Sequence, residues 1–469
     1  MGKTDKKELV IIGAGPGGYA AAFHASDLGI KVTLIDPKVN PGGVCLYRGC
    51  IPSKALLHLT KTKDEALKAS EWGLEFEEPK TDRKKIVSWK EGVVKKLTDG
   101  LGKLSDSRGI EYIQGRAKFT GKNELEVSPE EEESFSLQFE KAIIATGSSV
   151  ISLPNIEIDH KHIWDSTDAL ELKEIPEKML VIGGGYIGLE LGSVYASLGS
   201  KVSIAEMTSG LLPGTDRDLV EVFNKKEPFE RVYVETKVEQ AKVSKQGVMV
   251  SLQGKEGTQD KTFDRVLVAV GRAPNTESLG LDKLDISTTD KGFIDVNVRR
   301  QTKHKHICAI GDITGEPMLA HKASHEGRIA AEVIAGKPGA GYDPKAIPAI
   351  VFTNPELAWC GLTEQEAKEK NRDIKVVKFP WAASGRATAI GEDSGFTKLL
   401  IDSQTEVILG GAAAGKNAGS LIPELALAVE MGSTAKDLEL TIHPHPTLSE
   451  SIMESAELFF GSATHYKKS

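Results

Sequence analysis

Two cysteines five residues apart, Cys45 and Cys50, stand in the stretch Gly42-Gly-Val-Cys45-Leu-Tyr-Arg-Gly-Cys50-Ile-Pro-Ser-Lys54. Such a pair can cycle between dithiol and disulfide, hold half of a metal site, or pack as two buried thiols. In a regular helix, Cα atoms five residues apart lie about 8.7 Å from each other. A disulfide needs roughly 4.4–6.8 Å. A bonded pair therefore requires a distorted helix, and Gly49 and Pro52 are suited to one. Zinc would need two more ligands. Cys308 and Cys360 are isolated and sit in strand-like apolar runs, so no metal site is expected and both are assigned to the core.

The dithiol lies inside an internal repeat. Leu9-Val-Ile-Ile leads into Gly13-Ala-Gly15-Pro-Gly17-Gly18, then an Ala-rich helical segment, then Lys31-Val-Thr-Leu-Ile-Asp36. Met179-Leu-Val-Ile leads likewise into Gly183-Gly-Gly185-Tyr186-Ile187-Gly188, and Lys201-Val-Ser-Ile-Ala-Glu206 closes the second copy. The first glycine and the acid are 23 residues apart in both copies. One such glycine motif is weak evidence; two with matched context point to paired dinucleotide-binding domains. The first glycine permits the turn, the second lets a pyrophosphate approach, and the third lets the helix pack on the strand. Asp36 and Glu206 are placed to accept from a ribose 2′-hydroxyl. A carboxylate at Glu206 repels a 2′-phosphate and no Arg follows before Arg217, which favours NAD over NADP. Phe139–Gly147 and Phe263–Gly271 continue the repeat, and the first copy carries 46 extra residues that include the Cys pair.

Composition sets the limits. The chain has 469 residues with 47 Gly and 4 Cys, which implies several domains and excludes a secreted disulfide scaffold. Net charge is −8, a poor match to nucleic acid or anionic lipid. No apolar run is long enough to span a bilayer, and Met1–Glu8 is polar, so a soluble, cytoplasmic protein is expected with neither nucleic-acid nor membrane partners. Glu130–Glu133 reads as a solvated turn between strands. From about Ala346 the pattern changes to strands near 350–353, 373–379, 397–402 and 407–414, with helices near 361–371, 420–431 and 447–458. The last helix is preceded by Thr441-Ile-His443-Pro-His445-Pro-Thr447-Leu-Ser-Glu450. Both His precede Pro and are biased to extended backbone, and Thr447-x-x-Glu450 also fits an ordinary capping box.

The dithiol stretch joined to two such repeats resembles the disulfide-reductase flavoproteins over essentially the whole chain. The resemblance implies an α/β fold of two Rossmann-like domains, one binding FAD and one NAD, plus an α+β C-terminal dimerisation domain. Its implied bounds are 1–149 for the FAD domain with the disulfide, 150–275 for the NAD domain, 276–346 for a central region completing the FAD site, and 347–469 for the interface domain. It also implies roles. Cys45 becomes the interchange thiol, Cys50 the thiolate facing the flavin, Lys54 the cation beside the flavin, and Glu190 its partner, although Glu190 alone would read as a solvated helix residue. His445 becomes the acid–base and Glu450 its orienting carboxylate, reaching the disulfide of the other subunit in a homodimer. FAD contacts fall on Gly13, Gly15, Gly18, Asp36, Lys54, Ala117, Thr146, Gly147, Ser148, Asp312, Met318, Leu319, Ala320 and His321. NAD contacts fall on Gly183, Gly185, Tyr186, Ile187, Gly188, Glu190, Glu206, Val238 and Gly271.

Asn354–Gly361, Phe379–Ala387 and Gly415–Glu424 resemble the dihydrolipoamide dehydrogenases within that family, and no further Cys pair follows Cys360. This implies NAD-linked oxidation of dihydrolipoamide carried on a lipoyl domain of an acyltransferase or a glycine-cleavage carrier. Tyr47-Arg48 stand where Asn-Val is commoner, Asp36 where Glu is commoner, and Tyr186 resembles the gating tyrosine of glutathione reductases. Reduction of another small disulfide, diaphorase-type electron transfer, and a noncatalytic structural subunit remain the alternatives.

Overall fold

The computed structural model describes residues 6–130 and 132–467. Its first layer is a parallel sheet of five strands in the order Glu111–Gly121, Val32–Asp36, Lys7–Ile12, Phe135–Ile144 and Ile307–Ala309. The central strands are continuous apolar runs, as a sheet covered on both faces requires. Leu9, Val10 and Ile11 are fully buried. The far half of Glu111–Gly121 peels away into an antiparallel meander with Glu124–Pro129 and Phe135–Ile144. The acidic run lies between those last two strands, with Glu131 outside the described residues. Helix Pro16–Asp27 begins with Pro in its first turn and packs on helix Ala320–Ile334. The contact is backbone-close: a Cβ at position 327 would lie 2.4 Å from the Gly17 carbonyl oxygen.

The second layer repeats the first. Arg231–Tyr233, Lys201–Ala205, Lys178–Ile182, Arg265–Val268 and Ile163–Trp164 form a parallel sheet, with a separate meander of Lys237–Ser244, Gly247–Gly254 and Gly257–Phe263. In both layers the outermost strand beside the repeat's last strand comes from elsewhere in the chain. Ile307–Ala309 supplies it in the first and Ile163–Trp164 in the second.

The C-terminal part is a five-stranded antiparallel sheet, Ala349–Val351, Glu356–Gly361, Ile408–Gly415, Phe396–Asp402 and Ile374–Pro380, backed by helices Ala418–Met431 and Glu450–Phe460. Two differences from the sequence reading stand out. A helix at Ala435–Leu440, capped by Thr434 and Asp437, was not expected. The last helix starts at Glu450 rather than 447, with Ser449 as its N-cap and no side-chain cap, while the Thr447 hydroxyl donates to the Pro444 carbonyl (2.7 Å). Cys308 and Cys360 lie in the core, where burial pushes each thiol up to about 12.

A buried cation ties the C-terminal sheet to the second layer. Lys398 is 0% exposed, and its Nζ donates to Asp216 (2.7 Å), Asp218 (2.9 Å) and Glu364 (2.8 Å). Asp216 and Asp218 open the helix Arg217–Asn224, where its N-terminal dipole also favours acids. Removing Lys398 takes the ammonium from the largely buried Asp216 side chain, while Asp218 and Glu364 keep Lys378, and stranding such a charge costs far more than the pairing contributes. Lys398→Met is therefore expected to lower stability by about 3 kcal/mol. A urea unfolding midpoint equal to that of the unaltered protein would contradict this.

Candidate active site

The two glycine turns are superimposable in their hydrogen bonding. Gly13 N–H donates to Ile35 O and Gly183 N–H to Ala205 O, both at 2.8 Å. Ala14 N–H donates to Asp36 Oδ2 (2.8 Å), and Gly184 N–H to Glu206 Oε2 (2.7 Å). The other carboxylate oxygens accept from Lys38 N–H (2.9 Å) and Thr208 N–H (2.7 Å). Each acid is thus aimed by two amides while keeping lone pairs free. Burial pushes the Asp36 carboxyl up, against the pull of those amides.

The glycines divide into three jobs. Gly13 (φ +99°) and Gly183 (φ +108°) turn in the left-handed region, and a Cβ on either would lie 2.4 Å from a carbonyl oxygen of the neighbouring strand. A Cβ on Gly18 or Gly188 would collide with its own turn, at 1.8 and 2.2 Å. Gly15 and Gly185 are different. A Cβ on Gly15 would meet only Gly43 at 3.9 Å, and one on Gly185 would meet nothing within 4 Å. Protein packing does not demand a bare backbone there; an approaching ligand does. Both are N-caps without a side-chain hydrogen bond, so the first amides of helices Pro16–Asp27 and Tyr186–Ser197 are left for an anion. These features fit two dinucleotides.

The dithiol lies where the chain breaks between two helices. Cys45 belongs to helix Gly43–Arg48 and Cys50 opens helix Cys50–Lys68, with Gly49 (φ −150°, ψ −115°) between them. A Cβ at Gly49 would lie 2.9 Å from Val44 O. The two sulfurs are unbonded in this structure. The Cys45 thiol donates to Cys50, which holds Cys50 down to about 7 and Cys45 well above the usual thiol range. Burial opposes the shift at Cys50, and the Lys54 ammonium, one turn along the same helix, reinforces it.

Lys54 is held by Glu190. Its Nζ lies 2.7 Å from Glu190 Oε2 and 4.7 Å from the Phe352 ring centroid. Glu190 is 3% exposed, not solvated, and accepts three hydrogen bonds: from Lys54, from Ser53 Oγ (3.0 Å) and, at Oε1, from Phe352 N–H (3.0 Å). Tyr186, one helical turn before Glu190, is partly exposed; burial raises its phenol, and the charges of Arg272, Asp312, Cys50 and Glu190 all reach it.

The remaining named residues fall into place around these. Thr146 and Gly147 end the first-repeat segment, where the Thr146 hydroxyl donates to Asn275 O (2.8 Å) and Asn275 Nδ2 donates back to Thr146 O (2.9 Å). Ser148 donates to Asp312 Oδ2 (2.5 Å). Met318 and Leu319 precede helix Ala320–Ile334, and His321 in its first turn bonds Pro348 O (2.8 Å). Ala117 lies opposite Val127 in the first meander and Val238 opposite Leu252 in the second. Gly271 (φ +132°) follows the second-repeat strand.

His445 and Glu450 form a separate unit. Nδ1 of His445 lies 2.8 Å from Glu450 Oε1, and Thr447 N–H donates to Oε2 (2.7 Å). Burial works against ionisation of Glu450, but Thr447 and His445 together hold its carboxyl below the usual range. The His445 side chain is 74% exposed, and among the described residues no hydrogen bond joins it to Cys45 or Cys50. His443 differs: Nδ1 faces Thr441 O (2.8 Å) and Nε2 faces Glu424 Oε1 (2.7 Å). Both neighbours are acceptors, and the Glu424 carboxylate raises His443, with burial opposing it.

Residues 7–327 match the pyridine nucleotide-disulphide oxidoreductase family, and residues 347–456 match its dimerisation domain. The chain belongs to the pyridine nucleotide-disulphide oxidoreductase family. FAD and NAD(H) are the cofactors of this family. The oxidoreductase is 49% identical over 467 residues to dihydrolipoyl dehydrogenase of Vibrio parahaemolyticus, covering 99% of this chain and 98% of that one. It is 45% identical over 460 residues to dihydrolipoyl dehydrogenase of Geobacillus stearothermophilus, covering 98% and 97%. Among solved structures, LpdA from Mycobacterium tuberculosis matches with TM-score 0.90 and 26% identity over 97% of this chain and 99% of that one. HOCl-induced flavoprotein disulfide reductase RclA from Escherichia coli matches with TM-score 0.84 and 29% identity over 96% and 99%. Among the described residues no helix is long and apolar enough to cross a membrane.

Three contributors to this site escaped the sequence reading: Ser53, the Phe352 amide and Arg272. Ser53 and Arg272 left local signals, one directly before Lys54 and the other directly after the Gly271 that closes the repeat; the Phe352 amide left none. The thiol geometry makes a pH prediction. Thiolate absorbance of the reduced oxidoreductase should rise through a midpoint near pH 7, with the thiol form below it and the thiolate above it. Lys54→Met, which removes the neighbouring cation, should move that midpoint up. A midpoint near that of an ordinary thiol, about 8.5, in the unaltered protein would contradict the assignment.

Proposed function

We propose that this oxidoreductase oxidises protein-bound dihydrolipoamide to lipoamide with NAD+, through Cys45, Cys50 and FAD. The observation that carries the reading is a dithiol at a helix start beside Lys54, which pairs with buried Glu190, on a chain that also holds two matched dinucleotide turns. The full-length identity to dihydrolipoyl dehydrogenases supports the substrate.

His445 takes the proton of a substrate thiol. The resulting thiolate attacks Cys45 Sγ of the disulfide, breaking the Cys45–Cys50 bond, and Cys50 leaves as thiolate. The second substrate thiol, passing its proton to the departing Cys45 sulfur, then attacks the substrate sulfur bonded to Cys45 and breaks that mixed disulfide. Lipoamide departs and the electron pair stays on the cysteines. Glu450 holds the His445 Nδ1 proton, leaving Nε2 free to accept one from the substrate. Cys50 is the leaving group its lowered pKa favours. Bound FAD supplies the two-electron relay between this dithiol and NAD+, which no side chain offers. In this reading Gly13, Gly15, Gly18, Asp36 and Asp312 hold FAD, while Gly183, Gly185, Gly188 and Glu206 hold NAD.

The exposure of His445, and the lack among the described residues of a hydrogen bond from it to Cys45 or Cys50, support a homodimer in which each subunit supplies His445 and Glu450 to the other's dithiol. Ile442, three residues away and 94% exposed, supports the same cover. The lipoyl group is carried by another protein, an acyltransferase or glycine-cleavage carrier, in the cytoplasm.

The test is turnover with dihydrolipoamide and NAD+. Cys45→Ser should abolish it while FAD stays bound, and His445→Ala should slow it by about two to four orders of magnitude. Near-normal turnover by Cys45→Ser, or faster reduction of another small disulfide than of lipoamide, would overturn the reading.

A further inference from the structure

The crossings between the two nucleotide layers are paired. Ser148–Val150, where the chain leaves the first layer, runs antiparallel to Arg272–Pro274, where it leaves the second. On this ribbon the Arg272 guanidinium grips one residue with two donors: Nε to Ser148 Oγ (2.7 Å) and Nη2 to Ser148 O (2.5 Å). Ser148 is buried and its hydroxyl has a single proton. Because Arg272 Nε–H can only donate, Ser148 Oγ must accept from it and send its own proton on to Asp312 Oδ2 (2.5 Å). The direction of the relay is therefore fixed, and it ends on Asp312 Oδ2 as acceptor. The turn carrying Asp312 is fixed from behind as well. Fully buried Glu326 accepts from Gly311 N–H (2.6 Å) while pairing with Arg300 (2.8 Å) and Lys322 (3.2 Å).

We propose that Arg272 is a positioning residue: acting through Ser148, it aims the Asp312 carboxylate at FAD and makes that aim depend on how the NAD layer is seated against the FAD layer. The inference rests on the assignment of Asp312 to FAD above. A guanidinium is required because two donors on one edge must meet two oxygens of the same residue, a geometry an ammonium cannot match. With Arg272 gone, the Ser148 hydroxyl can rotate to other acceptors and Asp312 loses a directed donor.

The experiment is a double-mutant cycle on the holoprotein, read by FAD dissociation constant and by the shape of the visible flavin absorption. Arg272→Met and Ser148→Ala should each weaken FAD by about tenfold, as loss of a hydrogen bond to a charged group predicts. Both should change the flavin spectrum alike, and the double variant should be no worse than the worse single one. Arg272→Lys, which keeps the charge but not the fork, should lose most of the same affinity and serves if Arg272→Met fails to fold. Wild-type affinity and spectrum in Arg272→Met or Arg272→Lys would overturn the proposal. So would a double variant about a hundredfold weaker, since the two side chains would then act separately. An unaltered protein purified without flavin would overturn the FAD assignment and this proposal together. A yellow unaltered protein with unchanged variants overturns only the relay.

Discussion

Glu190 is a buried carboxylate on which three parts of the chain converge. It sits on the helix of the second glycine turn, its ammonium partner Lys54 sits on the dithiol helix of the first layer, and its third donor is the Phe352 amide of the C-terminal region. A buried carboxylate without donors would be very costly, so the three segments are obliged to meet at this point. Such a pair is weak evidence for net stability. Its consequence is geometric. It keeps an ammonium one turn from Cys50 while Cys45 donates to the same sulfur, and both effects favour a thiolate at neutral pH. Thiol chemistry at the helix start thus depends on an acid contributed by the neighbouring domain.

The repeated turns show how one backbone device serves two ligands. Hydrogen bonds, helix starts and acid contacts match residue for residue, yet the first copy ends its strand in Asp36 and the second in Glu206. The difference between the layers lies in what is inserted. The first carries the dithiol helix, and the second carries Tyr186 at the head of its helix, where the charges of both Cys50 and Asp312 reach.

What could be read from the sequence follows a physical rule. Gly13, Gly18, Gly183 and Gly188 were legible because their requirement is local: a Cβ would strike backbone a few residues away or on the adjacent strand. The Cys pair was legible because cysteines are scarce, and the need for a helix break followed from the helix's own dimensions. The Lys54–Glu190 and His445–Glu450 pairings came through the resemblance, but the other partners of these residues were not legible. Ser53 and the Phe352 amide reach Glu190 across 137 and 162 residues, and Ser148 reaches Asp312 across 164. No local pattern encodes such distances. The start of the last helix was misplaced for a different reason. Thr447 and Glu450 have the spacing of a capping box, but Thr447 spends its hydroxyl on Pro444 O, and Glu450 turns its carboxylate to His445 and the Thr447 amide.

The central claim is that Glu190 holds the dithiol helix, its own helix and the C-terminal region as one unit around the thiols. Amide hydrogen exchange of Glu190→Ala, with cofactors bound, tests this most directly. Exchange should quicken together in the first turn of helix Cys50–Lys68 and at residues 350–353, while the strand Lys7–Ile12 stays slow. Faster exchange confined to the helix Tyr186–Ser197, with both other segments unchanged, would contradict it.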